Sequence, residues 1–447
     1  MGILSKRYLH TLASNVVLKF VIGLIIGIVT ARALGPEGRG EYNLYVLAIT
    51  LATTLLSFGI SGSNTYFIAS KQYNERQLFY ASSFLAILLG ILSLLLIVIL
   101  NQLGWLSLIL PFKKFNMTIV LSLCVIPIAF FNVFAQGILV GQQKIMLNNY
   151  LNVGIQGLLA VAFAALYFLD ALDVTATVSF YALSQVALCI LIVWTSWPAG
   201  LPTFAWSLGS HGYRRLLKFS STLHLGNLTQ FFNYRLDAYI VNYFLGTAAV
   251  GQYGISATLA ETLWLISNSM ATVLLPTLSS KHAQSKEIAV KAAVATFCLS
   301  LLGGIVAFFL GPLLIPILFG RQFADAILPF QILIPGIVVL SISNVLATYV
   351  TGIGKPGINA AIAFVSFLFT LFFDILLIPQ YGIPGAATAS TISYAVTTVL
   401  TIFYFARVSS INLQSWFNIT RTMRSDVQSA QARAFALLKR SGGQRST

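Results

Sequence analysis

Charge is what this 447-residue sequence lacks: 8% of its residues are Asp, Glu, Lys or Arg, against about 25% in soluble domains. The shortage excludes an ordinary water-soluble fold, because 57% of the residues are hydrophobic and a globular interior of this size cannot hide so many apolar side chains. Cysteine is scarce as well. Cys124, Cys189 and Cys298 stand far apart inside apolar runs, with no Cys-x-x-Cys pair or Cys/His cluster. A disulfide framework and a zinc site are thereby excluded, and packing is their expected role. No Ser/His/Asp, paired-carboxylate or metal-ligand spacing links the few ionisable residues, so neither an enzyme, a resident metal nor a cofactor is expected.

Acidic residues are the scarcer sign, 11 against 26 Lys and Arg, giving a formal charge of +15. The basic residues fall in the connections between apolar runs rather than on a soluble face, which argues for membrane topology and against a nucleic-acid partner. The runs predict twelve membrane helices, over 12–31, 42–69, 79–100, 117–141, 149–169, 174–195, 218–245, 250–276, 289–319, 327–352, 358–378 and 385–407. With a cytoplasmic N-terminus, the outer loops hold Arg32, Arg39, Lys113, Lys114 and Arg321, while Lys19 and Arg235 lie at membrane depth. All other Lys and Arg then face the cytoplasm, so both termini are expected there. Lys6, Arg7 and the small-x-small Ala31-Arg32-Ala33 imitate a secretory signal. Lys19 interrupts its apolar core, and the first helix is expected to be retained.

The chain repeats itself. Leu34-Gly35 with Gly40-x-Tyr42 recurs as Leu245-Gly246 with Gly251-x-Tyr253, and Gly141-x-x-Lys144-x-x-x-Asn148 recurs as Gly352-x-x-Lys355-x-x-x-Asn359, both at an offset of 211 residues. Two independent matches at one offset argue for duplication of a six-helix unit. Six helices preserve sidedness, so the repeat is parallel. The expected organisation is an N-lobe over 1–195, a linker over 196–217 carrying Pro198, Gly200 and Pro202, a C-lobe over 218–407 and a basic cytoplasmic tail over 408–447. Within the tail, 424–440 reads either as an amphipathic helix drawn to anionic membrane lipids or as a disordered basic segment.

Ionisable residues inside lipid are costly unless they face a cavity or a partner. At ~100° per residue, Asn15, Lys19, Gly23 and Thr30 share one arc of the first helix, and His224, Asn227, Phe231, Arg235 and Asn242 share one arc of the seventh. Asp237 lies ~200° from Arg235, so one is expected to line a cleft while the other ties its helix into its lobe. Glu261, Leu265, Asn268 and Thr272 form a stripe on the eighth helix, matched in the first half by Thr50, Thr54, Ser57 and Ser61. Asp374, near Pro379, is expected to reach the headgroups. The candidate ligand-binding set is therefore Lys19, Arg235, Asn15, His224, Asn227 and Asn268, with Asp237 and Glu261 as candidates for coupling to a proton or Na⁺ gradient.

The segments ARALGPEGRGEY, RLDAYIVNYFLGTAAVGQYGISATLAETLW, VLLPTLSS, GIGKPGINAA and DILLIPQYGIPGAATASTISYA resemble the polysaccharide transporter family. These are Wzx-type flippases of the multidrug/oligosaccharidyl-lipid/polysaccharide (MOP) exporter superfamily. The resemblance implies an all-α polytopic membrane protein of two six-helix lobes, and export of undecaprenyl-diphosphate-linked oligosaccharide across the bacterial inner membrane by alternating access. It also implies other polysaccharide-assembly membrane proteins as partners. Two departures stand out: proton-coupled multidrug members carry an acid in the first helix where this sequence has Lys19, and lipid II flippases add two C-terminal helices. Lys19 and Arg235 would hold the diphosphate, and amide and hydroxyl side chains the sugars. The alternatives are a drug exporter of the same fold, which for cationic drugs calls for an acidic and aromatic cleft, and a membrane-embedded polymerase or glycosyltransferase, which calls for clustered polar residues in a large aqueous loop.

Overall fold

The computed structural model describes residues 3–104, 117–196, 209–279 and 285–409. Within these, side chains are described except at 3–16, 117–119, 121–122, 222–223, 225–227, 273 and 275–279. The helices are α1 Ile3–Leu56, α2 Ile60–Ala69, α3 Glu75–Gln102, α4 Met117–Gly141, α5 Ile145–Phe168, α6 Val174–Ser196, α7 Gly209–Leu245, α8 Thr247–Glu261 and α9 Trp264–Ser279. They are followed by α10 Ser285–Phe319, a 3₁₀ turn Arg321–Ala326, α11 Ile327–Gly352, α12 Pro356–Tyr381 and α13 Ile383–Ser409. Among the described residues, nine helices are long and apolar enough to cross a membrane. The protein is an all-α, multi-pass membrane protein.

The difference between nine and twelve has local causes. Val17–Leu56 counts once but contains two predicted spans, joined by a break at Gly35 with φ 65° and ψ −176°. That backbone region is essentially closed to residues with a Cβ, and Pro36, which suits the first turn of a helix, follows at once. The predicted loop before Tyr42 is thus a one-residue corner. The helix α7 is too polar to pass on composition, since it carries Arg235, Asp237, His224 and several amides; it also begins at Gly209, inside the stretch read as linker. The predicted eighth helix is divided at Thr262 and Leu263 into α8 and α9, so the stripe from Glu261 to Thr272 is not continuous. Of the cysteines, all free, Cys124 and Cys298 are exposed on helix surfaces rather than packed.

The repeat is visible in the backbone. Gly246 has φ 82° and ψ −178°, the conformation of its counterpart Gly35. The two corners also meet. A Cβ on Gly40 would lie 1.8 Å from the carbonyl oxygen of Thr247, and a Cβ on Gly251 would lie 2.0 Å from that of Pro36. Pro36 and Thr247 are themselves repeat partners, so each copy lays its glycine against the other copy's helix start. Only glycine permits this approach of backbones.

The chain forms two compact units. One comprises Met1–Thr262, Ala307–Ile334 and Ala363–Ser393. Its cores include Phe67, Leu78, Phe130 and Phe134 between α2, α3 and α4, and Tyr42, Phe163 and Val178 between α1, α5 and α6. The other comprises Leu263–Val306, Pro335–Ile362 and Tyr394–Thr447, and is built on Ala289, Val290, Val345, Leu346 and Phe405. All the ionisable residues expected at membrane depth belong to the first unit.

Candidate functional site

On α1, the half-buried Lys19 donates from Nζ to Asn149 Oδ1 of α5 at 3.3 Å. The side chain of Asn15, one turn earlier, lies outside the described residues, as does that of Asn227. On α7, Arg235 holds Glu261 of α8 with both arms of its guanidinium, Nη1 to Oε1 at 3.3 Å and Nη2 to Oε2 at 3.4 Å. Fork-on-fork geometry of this kind fixes direction as well as charge. The Arg235 side chain stays 42% exposed and that of Glu261 21%, so the pair is reachable. Asn268, on the second unit, is exposed. His224 is buried, its Nε2 3.0 Å from the carbonyl oxygen of Leu55 and its ring 5.5 Å from that of Phe58.

Asp237 points away from Arg235, as helix geometry requires. It is buried, accepts from the Tyr253 hydroxyl at 2.5 Å and from its neighbour's backbone N–H at 2.8 Å, and Tyr253 in turn lies 3.4 Å from Ser390 of α13. One turn below, Asn233 Oδ1 accepts from Thr370 of α12 at 3.0 Å, and the Thr370 and Ser393 hydroxyl oxygens lie 2.7 Å apart. One turn above Thr370 stands Asp374. Expected at the headgroups, it is instead wholly buried, because α12 runs on through Pro379 to Tyr381 and sets Asp374 well inside the helix. Neither of its carboxylate oxygens has a hydrogen-bond partner among the described residues. Asp237 is within Coulombic reach of it. Two acids, one of them without a donor among the described residues, thus sit inside packed helices, where a bare charge is costly. The apolar DILLIP segment had hidden Asp374, since position along a helix is read from helix ends, and that end was misplaced. Among the described residues no group of three or more His, Cys, Asp or Glu can hold a metal ion.

Two arginines assigned to outer loops belong to helices. Arg32 caps the end of α10, donating to the carbonyls of Leu318 at 2.8 Å and Ile317 at 2.5 Å. Arg39 is buried, donates to Thr30 and lies 5.6 Å from the Tyr42 ring centre.

Partly exposed Lys19 and Arg235 and buried Asp237 and Asp374, set among helices long and apolar enough to cross a membrane, fit a membrane transporter. Two solved structures share this fold: the lipid II flippase MurJ in an inward closed conformation, at TM-score 0.74 and 14% identity, covering 91% of this chain and 89% of that one; and a multidrug resistance MATE transporter of the MOP superfamily facing inward, at 0.72 and 15%, covering 87% and 94%. At such identities the likeness is one of fold. Residues 9–282 match the family of polysaccharide biosynthesis proteins, and the chain belongs to that family. Among curated relatives, it is 24% identical over 241 residues to a probable low-salt glycan biosynthesis flippase, Agl15, of Haloferax volcanii, a match covering 52% of this chain and 51% of that protein. It is 29% identical over 168 residues to the capsular polysaccharide biosynthesis protein CapF of Staphylococcus aureus, covering 35% and 42%. The chain spans about half the length, or less, of these curated relatives.

Proposed function

We propose that this protein is a flippase that moves an undecaprenyl-diphosphate-linked oligosaccharide from the cytoplasmic to the periplasmic leaflet of a bacterial inner membrane, with both termini cytoplasmic. The observation that carries the reading is the segregation of charge at membrane depth: the cations Lys19 and Arg235 remain reachable, whereas Asp237 and Asp374 are sealed. A diphosphate needs partners to cross hydrocarbon, and at an effective dielectric of ~20 a cation ~4 Å from a phosphate charge contributes ~4 kcal/mol before desolvation. Family membership, a flippase among the relatives and a flippase among the fold neighbours agree with it. An exporter of cationic drugs would want reachable acids. Of the described acids expected at membrane depth, Glu261 is reachable, and it is held by Arg235.

In this reading Glu261 keeps Arg235 oriented and is exchanged for a phosphate when the headgroup enters. The lobes 1–195 and 218–407 alternate in exposing it to the two sides. Coupling to a proton or Na⁺ gradient falls to Asp237 and Asp374, whose carboxylates are buried within the helices. Partner proteins that polymerise or ligate the glycan would act on the outer leaflet. Deleting the gene and locating lipid-linked glycan tests the proposal: it should accumulate on the cytoplasmic leaflet, and unchanged leaflet distribution would refute it.

A further inference from the structure

We infer that α5 carries the sugar subsite of the transported molecule: a row of amides, Gln136, Asn149, Asn152 and Gln156, that begins beside Lys19. The inference deepens the flippase reading and rests on it. Asn149, Asn152 and Gln156 fall within a ~60° arc of α5 at ~100° per residue, and Gln136 of α4 joins them, accepting from Asn152 at 3.2 Å. Lys19 donates to Asn149 at the end of the row.

Two observations separate this row from ordinary helix-to-helix packing. The first is the exposure of Gln156. Gln156, near the middle of a membrane-spanning helix, is exposed and has no hydrogen-bond partner among the described residues. An amide so placed would be unfavourable against hydrocarbon. The face of α5 that does meet lipid is elsewhere: Tyr150, Leu158 and Val161, 55%, 67% and 67% exposed, lie on the opposite side of the helix by the same angular count. Gln156 therefore meets water or a polar ligand, on an arc of α5 whose other members, Leu159, Ala160 and Phe163, are buried.

The second observation is the repeat, which acts as an internal control. At the offset of 211 residues, Asn148 corresponds to Asn359, and Asn359 has a structural task, donating to the Ala347 carbonyl at 2.9 Å and to Thr351 at 3.0 Å. Gln136, Asn149, Asn152 and Gln156 correspond to Ala347, Ala360, Ala363 and Phe367. The same six-helix unit is thus built with apolar residues at all four positions, so the fold does not require the amides. Each amide offers both a donor and an acceptor, the pairing that a sugar's adjacent hydroxyls match, and Lys19 places a positive charge where the row ends and a phosphate would begin.

The test uses the full-length protein in lipid nanodiscs with three probes: the lipid-linked glycan fraction that accumulates in the deletion strain, undecaprenyl diphosphate without sugar, and the oligosaccharide released from that fraction by mild acid. The wild type should bind the glycan-bearing lipid at least about tenfold tighter than the bare lipid, as a few amide–hydroxyl bonds allow. The double substitution Asn152→Ala and Gln156→Phe, which installs the residues found at the 211-residue offset and leaves Asn149 on Lys19, should abolish that preference while leaving bare-lipid binding unchanged. Gln156→Leu, an exposed position whose replacement disturbs no partner, should reduce it in part. Lys19→Ala should weaken both lipids equally, and the released oligosaccharide should compete only weakly. A double variant that keeps the wild-type preference overturns the subsite. Released oligosaccharide binding as tightly as the lipid-linked form overturns its assignment to a lipid-linked ligand. A wild type that binds neither lipid overturns the flippase reading itself.

Discussion

Replacing Gly40 by alanine should part the two helix starts that meet at the repeat-related corners. The added Cβ would stand 1.8 Å from the Thr247 carbonyl oxygen and 2.6 Å from its carbon, where no side-chain rotation can give way because the obstacle is backbone. Relief requires α1 and α8 to separate by more than ~1 Å, and overpacking of this kind costs ~1–3 kcal/mol. Since every ~1.4 kcal/mol is a factor of ten in an equilibrium constant, the closed contact should lose between about fivefold and a hundredfold in population against any state in which these helices are apart. Gly251→Ala should do the same through Pro36, whose carbonyl oxygen lies 2.0 Å from the new Cβ. The double variant should be markedly less than additive, because one substitution already separates the helices that the other would push.

A cysteine reporter reads this out. In a background with Cys124, Cys189 and Cys298 replaced, a single Thr247→Cys is labelled with a membrane-impermeant maleimide, and Gly40→Ala should accelerate labelling and lower the rate of transport. Gly154→Ala serves as control, since its Cβ would meet nothing within 4 Å. If Gly40→Ala and Gly251→Ala match the control in labelling, melting temperature and transport, the corner contact is not the close-packed element described above.

Asp374→Asn should leave the melting temperature unchanged or raise it while abolishing dependence of transport on the driving ion, because it removes a buried charge that has no donor; a loss of stability would contradict this. Tyr253→Phe should lower stability by ~1–3 kcal/mol, the cost of leaving a buried acceptor unmet, measured by thermal unfolding of the purified protein. Neutralising Lys19 or Arg235 should abolish glycan export in protein that reaches the membrane, and exchange between Lys and Arg should be milder at Lys19 than at Arg235, whose fork lysine cannot reproduce; wild-type export by both alanine variants would move the diphosphate elsewhere. Reporter fusions should put 321–326 and 355–357 on opposite sides of the membrane, and removal of the residues after Ser425 should leave transport largely intact.

Most of the helices were legible because membrane spans are the strongest pattern a sequence carries: α4, α11 and α6 begin at the predicted residue. The failures cluster where glycine or polarity overrides hydropathy. Gly35 turns the chain in one residue where a loop was expected, and α7 begins at Gly209, inside the stretch that Pro198, Gly200 and Pro202 marked as a linker. Angular arithmetic on α7 correctly sent Arg235 and Asp237 in different directions. It could not find the partners, since Glu261, Tyr253 and Ser390 come from other helices and a single helix wheel holds no information about its neighbours. The polar stripe of Glu261 and Asn268 failed for a related reason, a turn at Thr262 that no glycine or proline announces.

The duplication explains why the two lobes can share a fold and differ in chemistry. In the C-lobe, Asp237, Tyr253 and Asp374 form the buried acidic pair and its tether; at the offset of 211 residues the N-lobe has Ile26, Tyr42 and Phe163. Those three pack in one apolar cluster, with the Tyr42 and Phe163 rings 6.1 Å apart and edge to face. The tyrosine is common to both lobes because it anchors the helix that follows each glycine corner, by ring contacts in one lobe and by a hydrogen bond to a carboxylate in the other. The acids are not common, and so they are not demanded by the architecture: a packed apolar solution to the same position exists within the same chain. The reverse asymmetry holds on α5, where the N-lobe has amides and the C-lobe alanine and phenylalanine. Symmetric glycines thus meet at the corners, while each repeat is polar where the other is apolar, with acids at Asp237 and Asp374 in one and amides at Gln136, Asn149, Asn152 and Gln156 in the other.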